Sequence, residues 1–198
     1  MTKRPCARIG SRGQSIVEFA LVLPLALMIV LGVIEFGYLL LDEHIVTRLS
    51  REGSNLISRD TSLHDAGTAI TSMASPPVNF ATTSTVIFSV LEVGATTGTA
   101  NYGSLILYER YQLGPLPCTS QMTTAGSGSF GGAPNYQAAN SDTDTSLQIT
   151  STNVTASLIP IGGLLYVTEI CTNHAPITPL GVFAGVLVPT TLYSIAYF

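Results

Sequence analysis

Gly13-Gln14-Ser15-Ile16-Val17-Glu18-Phe19 joins a basic leader to a long apolar run, and most of the fold reading follows from it. The run Ile16–Leu41 holds 26 residues and is broken only by Glu18 and Glu35. At about 1.5 Å per residue, a helix of that length spans nearly 39 Å, more than a hydrocarbon core of about 30 Å. A carboxylate in such a segment costs on the order of 2.5–3.5 kcal/mol on insertion scales. A new α-amine at Gln14, created by cutting after Gly13, would offset that cost. The competing reading leaves Glu18 solvated at headgroup depth, where a carboxylate in the first helical turns also suits the macrodipole. A glycine ahead of a helix is common in itself. The rarer feature is the ordered set of basic leader, Gly13, Glu18, an aromatic at Phe19 and a membrane-length span.

Charge is segregated about Gly13. Lys3, Arg4, Arg8 and Arg12 precede it, and all twelve acids follow it. Without residues 1–13 the chain keeps four Arg and no Lys against those acids, a net charge of −8. Such a balance argues against nucleic acid and against docking on anionic lipid. Charged residues make up only 10% of the chain against about 25% in an ordinary soluble domain, so much of it belongs in lipid or on a hydroxyl-rich surface. The basic side of the span is N-terminal, which predicts a cytoplasmic N-terminus and an exported C-terminus. A cleaved secretory signal is the rival. It fits less well, because the apolar run exceeds the usual h-region of about 7–15 residues and no small-x-small site follows at Glu35–Leu41.

Of three cysteines, Cys6 lies ahead of the proposed cut, on the reducing side. Cys118 and Cys171 are left as an even pair on the oxidising side, and a disulfide between them is expected. It would close a loop of roughly 50 residues and contribute about 3–4 kcal/mol in the chain-entropy model. Two buried free thiols are the alternative.

The predicted organisation is a leader over 1–13, a transmembrane helix over 14–41, a juxtamembrane helical segment over 42–75 and an exported β-rich domain over 76–198. In the second segment Ile45, Leu49, Leu56, Leu63 and Ile70 share a face, Gly53 weakens the middle, and Asp60-Thr61-Ser62 breaks the helix. Ser62 with Asp65 resembles a capping pair for a second short helix, and Pro76-Pro77 ends helical structure. Strands are predicted over Thr85–Val93, Ser104–Leu113, Gly163–Thr172 and Thr191–Phe198, with a weaker one within Ser146–Leu158. The sum is an α+β fold: a long N-terminal helix, a short helix and a mostly antiparallel sheet. Thr119–Thr145, rich in Ser, Thr, Gly, Asn and Asp, reads as a polar surface loop.

Pro24 should kink or fray the membrane helix at the carbonyl of Ala20. Glu35 has two readings, the far membrane interface or contact with a partner helix. His44, His64 and His174 show no metal spacing and read as surface or capping residues, so no cofactor is expected. Glu92, Glu109 and Glu169, one per strand, either cluster in a cleft or mark a solvated sheet face. No nucleophile elbow, phosphate loop, H-E-x-x-H or C-x-x-C occurs, so no enzymatic activity and no small-molecule substrate are expected.

Arg12–Gly37, R-G-Q-S-I-V-E-F-A-L-V-L-P-L-A-L-M-I-V-L-G-V-I-E-F-G, resembles the opening of the TadE-like proteins of tight-adherence (Flp) pilus systems. The likeness resumes over Val46–Arg59 and returns loosely at Ala175–Leu180, A-P-I-T-P-L, whereas Thr119–Thr145 has no counterpart. That resemblance implies a minor pilin or pseudopilin of the bacterial inner membrane, single-pass, with a periplasmic C-terminal domain. A prepilin peptidase would cut between Gly13 and Gln14. Glu18 would be the acid of the fifth mature position, setting register through a Gln14 amine, with Phe19 beside it. The implied partners are the lipid bilayer, the major pilin, other minor pilins, an inner-membrane assembly platform and an assembly ATPase. By the same likeness the large C-terminal domain suits a minor, initiating or tip role. Two other classes remain: an uncleaved single-pass anchored adhesion module, and a periplasmic hydrolase whose strand acids would adjoin one another.

Overall fold

The computed structural model describes residues 14–178 and 189–198 of the 198-residue chain. Gly13 and Cys6 lie outside the described residues, as does the end of the A-P-I-T-P-L stretch. The elements run α1 (Gln14–Ile57), α2 (Leu63–Met73), β1 (Ser84–Val93), β2 (Leu105–Leu113), β3 (Leu164–Asn173) and β4 (Thr191–Tyr197). The fold is α+β, as the sequence predicts. The chain divides into two compact units. One carries the first part of α1, through Leu39, with the segment that begins at Pro176; the other holds Leu40–Ala175 and Pro189–Phe198.

In the first unit α1 is an exposed apolar rod. Its most apolar 18-residue window has a mean hydropathy of 2.6, and none of that window is buried. Exposed Ile, Val, Leu and Phe on every side of a helix are stable only where the solvent is itself apolar. The helix passes Pro24 without a break and continues into the second unit to Ile57, so the transmembrane and juxtamembrane segments form one element.

The second unit is built on a four-stranded antiparallel sheet of order β2-β1-β3-β4. β1 is central and buried along nearly its whole length because both faces of the sheet are covered. Val86, Phe88 and Val90 face the helices, and Ile87, Ser89 and Leu91 face the other way. Against the helical face, α1 presents Val46, Leu49, Gly53 and Ile57, all buried. This differs from the predicted stripe: Leu49 belongs to it, but Ile45 and Leu56 are only partly buried. The inward side is tightest at Gly53, which lies so close to β3 that an added Cβ would meet Thr168 Cγ2 at 2.7 Å and Phe88 Cε1 at 3.2 Å. Ser50 and Ser54 on the same side bond to Ser194 Oγ (2.9 Å) and the Ala196 carbonyl (2.9 Å) on β4. Ser62 caps α2 as expected, accepting from the Asp65 N–H.

The opposite face is covered by residues 114–163. The chain leaves β2 at Gly114, whose φ of +122° favours glycine and whose missing Cβ makes room for the Ser84 carbonyl. Met122 and Val154 from this cover then pack on Leu91, Leu107 and Val167 of the sheet. The predicted surface loop Thr119–Thr145 thus contributes to the core: Met122 is fully buried, and Gln137 bridges to Glu109 on the outer edge of β2. The weak strand expected in Ser146–Leu158 is instead two short 3-10 turns, Thr145–Leu147 and Ala156–Leu158, with isolated bridges from Gln148 to Ile106 and from Ile149 to Thr124 between them.

Candidate functional site

Three groups of polar residues carry the chemistry. The first is the N-terminal set expected from the sequence to govern register. Glu18 and Phe19 lie in the opening turns of α1, both exposed, Phe19 at 65%. Gln14 is the first helical residue, and its predicted cut site at Gly13 lies outside the described residues. Glu35 has partners within its own chain that the sequence did not indicate. It is 3% exposed and accepts the backbone N–H groups of Ile177 (3.1 Å) and Thr178 (2.8 Å). A carboxylate receiving two amide donors has its charge satisfied inside its own chain, which makes an intramembrane acid tolerable.

The second group is a buried network across the sheet. Glu169 on β3 is fully buried. Its carboxylate accepts from the Tyr193 hydroxyl (2.5 Å), the Ser120 hydroxyl (2.5 Å) and the Gln121 N–H (2.6 Å). Arg110 on β2 donates to Ser120 Oγ (2.9 Å), the Met122 carbonyl (2.7 Å) and Ser89 Oγ (3.3 Å). Burial lowers the Arg110 guanidinium and the Glu169 charge opposes that shift; burial and the bond to Glu169 push the Tyr193 hydroxyl far up, so it stays a donor. The Cys118–Cys171 disulfide is present as expected, with a Cα–Cα distance of 5.9 Å. It ties the cover to β3 two residues from both Ser120 and Glu169.

The third group lies at the β2 side. Glu109, Tyr108 and Tyr166 line a cavity of about 250 Å3 with Asp60 and Ser62. Burial raises the Glu109 carboxyl, and burial and then Asp142 raise Glu92. Pairing places Val90 opposite Glu109, with Glu92 two residues along, while Glu169 pairs with Ile87. The strand acids therefore split between the two faces, and the single cleft required by a three-acid hydrolase does not form. Among the described residues no group of three His, Cys, Asp or Glu is placed to hold a metal ion.

His174, read as a surface residue, is buried, and its Nδ1 lies 2.7 Å from Asp42 Oδ2. Sequence missed this contact because its partners lie 132 positions apart. Ser120 and Gln121 were missed for the same reason. The adjacent Cys118 was the only signal pointing to them.

These observations define a class: an α+β domain carried on one N-terminal apolar helix that fits a single-pass membrane anchor. The particular likeness is narrower. Residues 13–55 match the family model described as TadE-like protein, so the chain carries a TadE-like N-terminal segment, the type that the sequence suggests for the tight-adherence pilus system. No curated protein and no solved structure matches the chain.

Proposed function

We propose that this protein is a pilus-assembly component, a minor pilin or pseudopilin that is inserted in the bacterial inner membrane, cut after Gly13, and joins or primes a tight-adherence pilus. The carrying observation is the TadE-like match, which opens at residue 13 and runs through Glu18 and the exposed apolar helix. In this reading the prepilin peptidase frees an amine at Gln14, and that amine meets Glu18 of its own or a neighbouring subunit. The major pilin, other minor pilins and the inner-membrane platform are its partners, with the C-terminal domain periplasmic. The protein has no catalytic role, no cofactor, no nucleic-acid partner and no small-molecule substrate.

Mass mapping of the mature N-terminus, from cells with and without the peptidase, tests this. A start at Gln14 only when the peptidase is present supports it. A Met1 or Thr2 start in functional, exported protein overturns it in favour of an uncleaved anchored adhesion module. That second reading draws on the size of the folded domain lying outside the matched residues.

A further inference from the structure

The four arginines that follow Gly13 are not spread over the surface. Arg110 is held in the buried network, and the other three are all exposed, Arg48 and Arg51 on α1 and Arg59 in the turn that follows it. At about 100° per residue, His44, Arg48, Arg51 and Asn55 fall within an arc of about 60°, facing away from the buried ridge of Val46, Leu49, Gly53 and Ile57, and Arg59 follows just past the helix end. Among the described residues none of the three forms an ion pair with a carboxylate; Arg59 Nε donates only to Asn55 Oδ1 (3.1 Å). Next to this ridge, Arg51, Glu52, Asn55 and Arg59 line a groove of about 540 Å3 closed on its other side by Tyr197 and Phe198, which are 42% and 64% exposed. Arginine beside exposed aromatics is the composition of a protein-binding centre.

The groove lies along β4, which pairs only with β3 among the described residues. Across the sheet on the same row, Phe198 pairs with Tyr166, Tyr166 with Val90, and Val90 with Glu109. Phe198 of the groove and Glu109 thus sit on the same helix-side row at opposite edges of the sheet, about 14 Å apart at ~4.8 Å per strand step, and Glu92 and Asp142 cluster with Glu109 around Tyr108. A patch at one edge cannot reach its complement at the other within one molecule. It can reach it on the next.

We infer that the Arg51–Arg59–Phe198 groove is a docking surface for a second copy of this chain, which presents its Glu92–Glu109–Asp142 rim. Such a contact is heterologous: each copy keeps one groove and one rim unused, so association propagates in an open row rather than closing as a dimer. Every group involved lies beyond residue 50, so the contact holds whether or not the leader is removed, and its failure says nothing about cleavage.

The test is co-purification of two differently tagged full-length copies in neutral detergent at low and high salt. Wild-type copies should associate, more weakly at high salt. Arg51→Glu with Arg59→Glu should lower the yield by about tenfold, and so should Glu109→Lys with Asp142→Lys, since each sets like charges face to face. A mixture of the two double variants should restore association, because each supplies the charge the other has lost; this also shows that both fold. Monomeric wild type, undiminished association in either variant, or no recovery in the mixture overturns the inference. Loss of binding to phosphatidylglycerol vesicles in Arg51→Glu with Arg59→Glu, with self-association unchanged, also overturns it and assigns the ridge to anionic headgroups.

Discussion

Glu169 shows how a single side chain joins the sheet to its cover in the second unit. It lies on β3, yet two of its three donors come from the cover at Ser120 and Gln121, and the third from Tyr193 on β4. Replacing it with leucine leaves three donors without their acceptor and the nearby Arg110 without its counter-charge. We expect Glu169→Leu to cost about 3 kcal/mol, which for a chain of this size lowers the Tm by about 6–12 °C in a detergent melt followed by near-UV circular dichroism. A variant melting with wild type would remove the network from the stability account. Glu109 behaves oppositely. Burial raises its folded pKa above the ordinary 4.5, so the folded state holds the proton more tightly than the unfolded one. The stability this contributes is complete below the unfolded pKa and is lost as pH rises through the folded value. Glu109→Gln should therefore flatten the fall in Tm as pH rises upward from about 4.5. An unchanged slope would mean that Glu109 titrates alike in both states. These roles were not legible from the residues: Arg110 and Glu169 each look like one charge on a solvated sheet face until the cover is in place.

At the scale of elements, the lower half of α1 is set by what it lacks. Gly53 has a poor helix propensity, and alanine there would gain about 1 kcal/mol from propensity alone. The close approach to Thr168 and Phe88 works the other way, because a Cβ at 2.7 Å from Thr168 Cγ2 forces the helix off the sheet. We expect overpacking to win and Gly53→Ala to destabilise by about 1–3 kcal/mol, measured by urea unfolding. A more stable variant would show that the helix can shift outward freely. The cover is held differently. Replacing Cys118 and Cys171 together by serine frees a loop of 53 residues and should cost about 3–4 kcal/mol. Amide exchange should rise first around Ser120–Met122, where the bridge anchors the cover to Glu169. The strands and the Ser62 cap were legible, since alternation and capping chemistry act over neighbouring residues. The packing face of α1 was not, because the apolar stripe of Ile45 and Leu56 lies to one side of the ridge that the sheet selects.

For the whole molecule, the exposed rod and the covered domain answer to different solvents. In the first unit the most apolar window of α1 is wholly unburied, and such a segment is stable in an apolar phase. In the second, layers on both faces of one sheet exclude water in the ordinary way. The proposed assembly role places its decisive charge at Glu18, near the start of the rod. Glu18→Val should leave membrane insertion intact, since it makes the span more apolar. It should abolish incorporation into pili, scored by immunoblot of sheared filaments. Normal incorporation would remove Glu18 from register setting.

By itself the sequence determined the membrane-length helix, the four sheet strands, the α2 cap, the Cys118–Cys171 pair and the TadE-like opening. Each rests on local periodicity, local hydrogen bonding or a count of residue types. Only the tertiary structure decided that Glu35 accepts backbone amides at Ile177 and Thr178, that His174 meets Asp42, that the Ser/Thr-rich loop is a core-forming cover, and that the free arginines and the clustered acids lie at opposite edges of one sheet. Those outcomes depend on contacts between residues tens to more than a hundred positions apart, and such proximity is created by the folding of the sheet, not by any spacing along the chain.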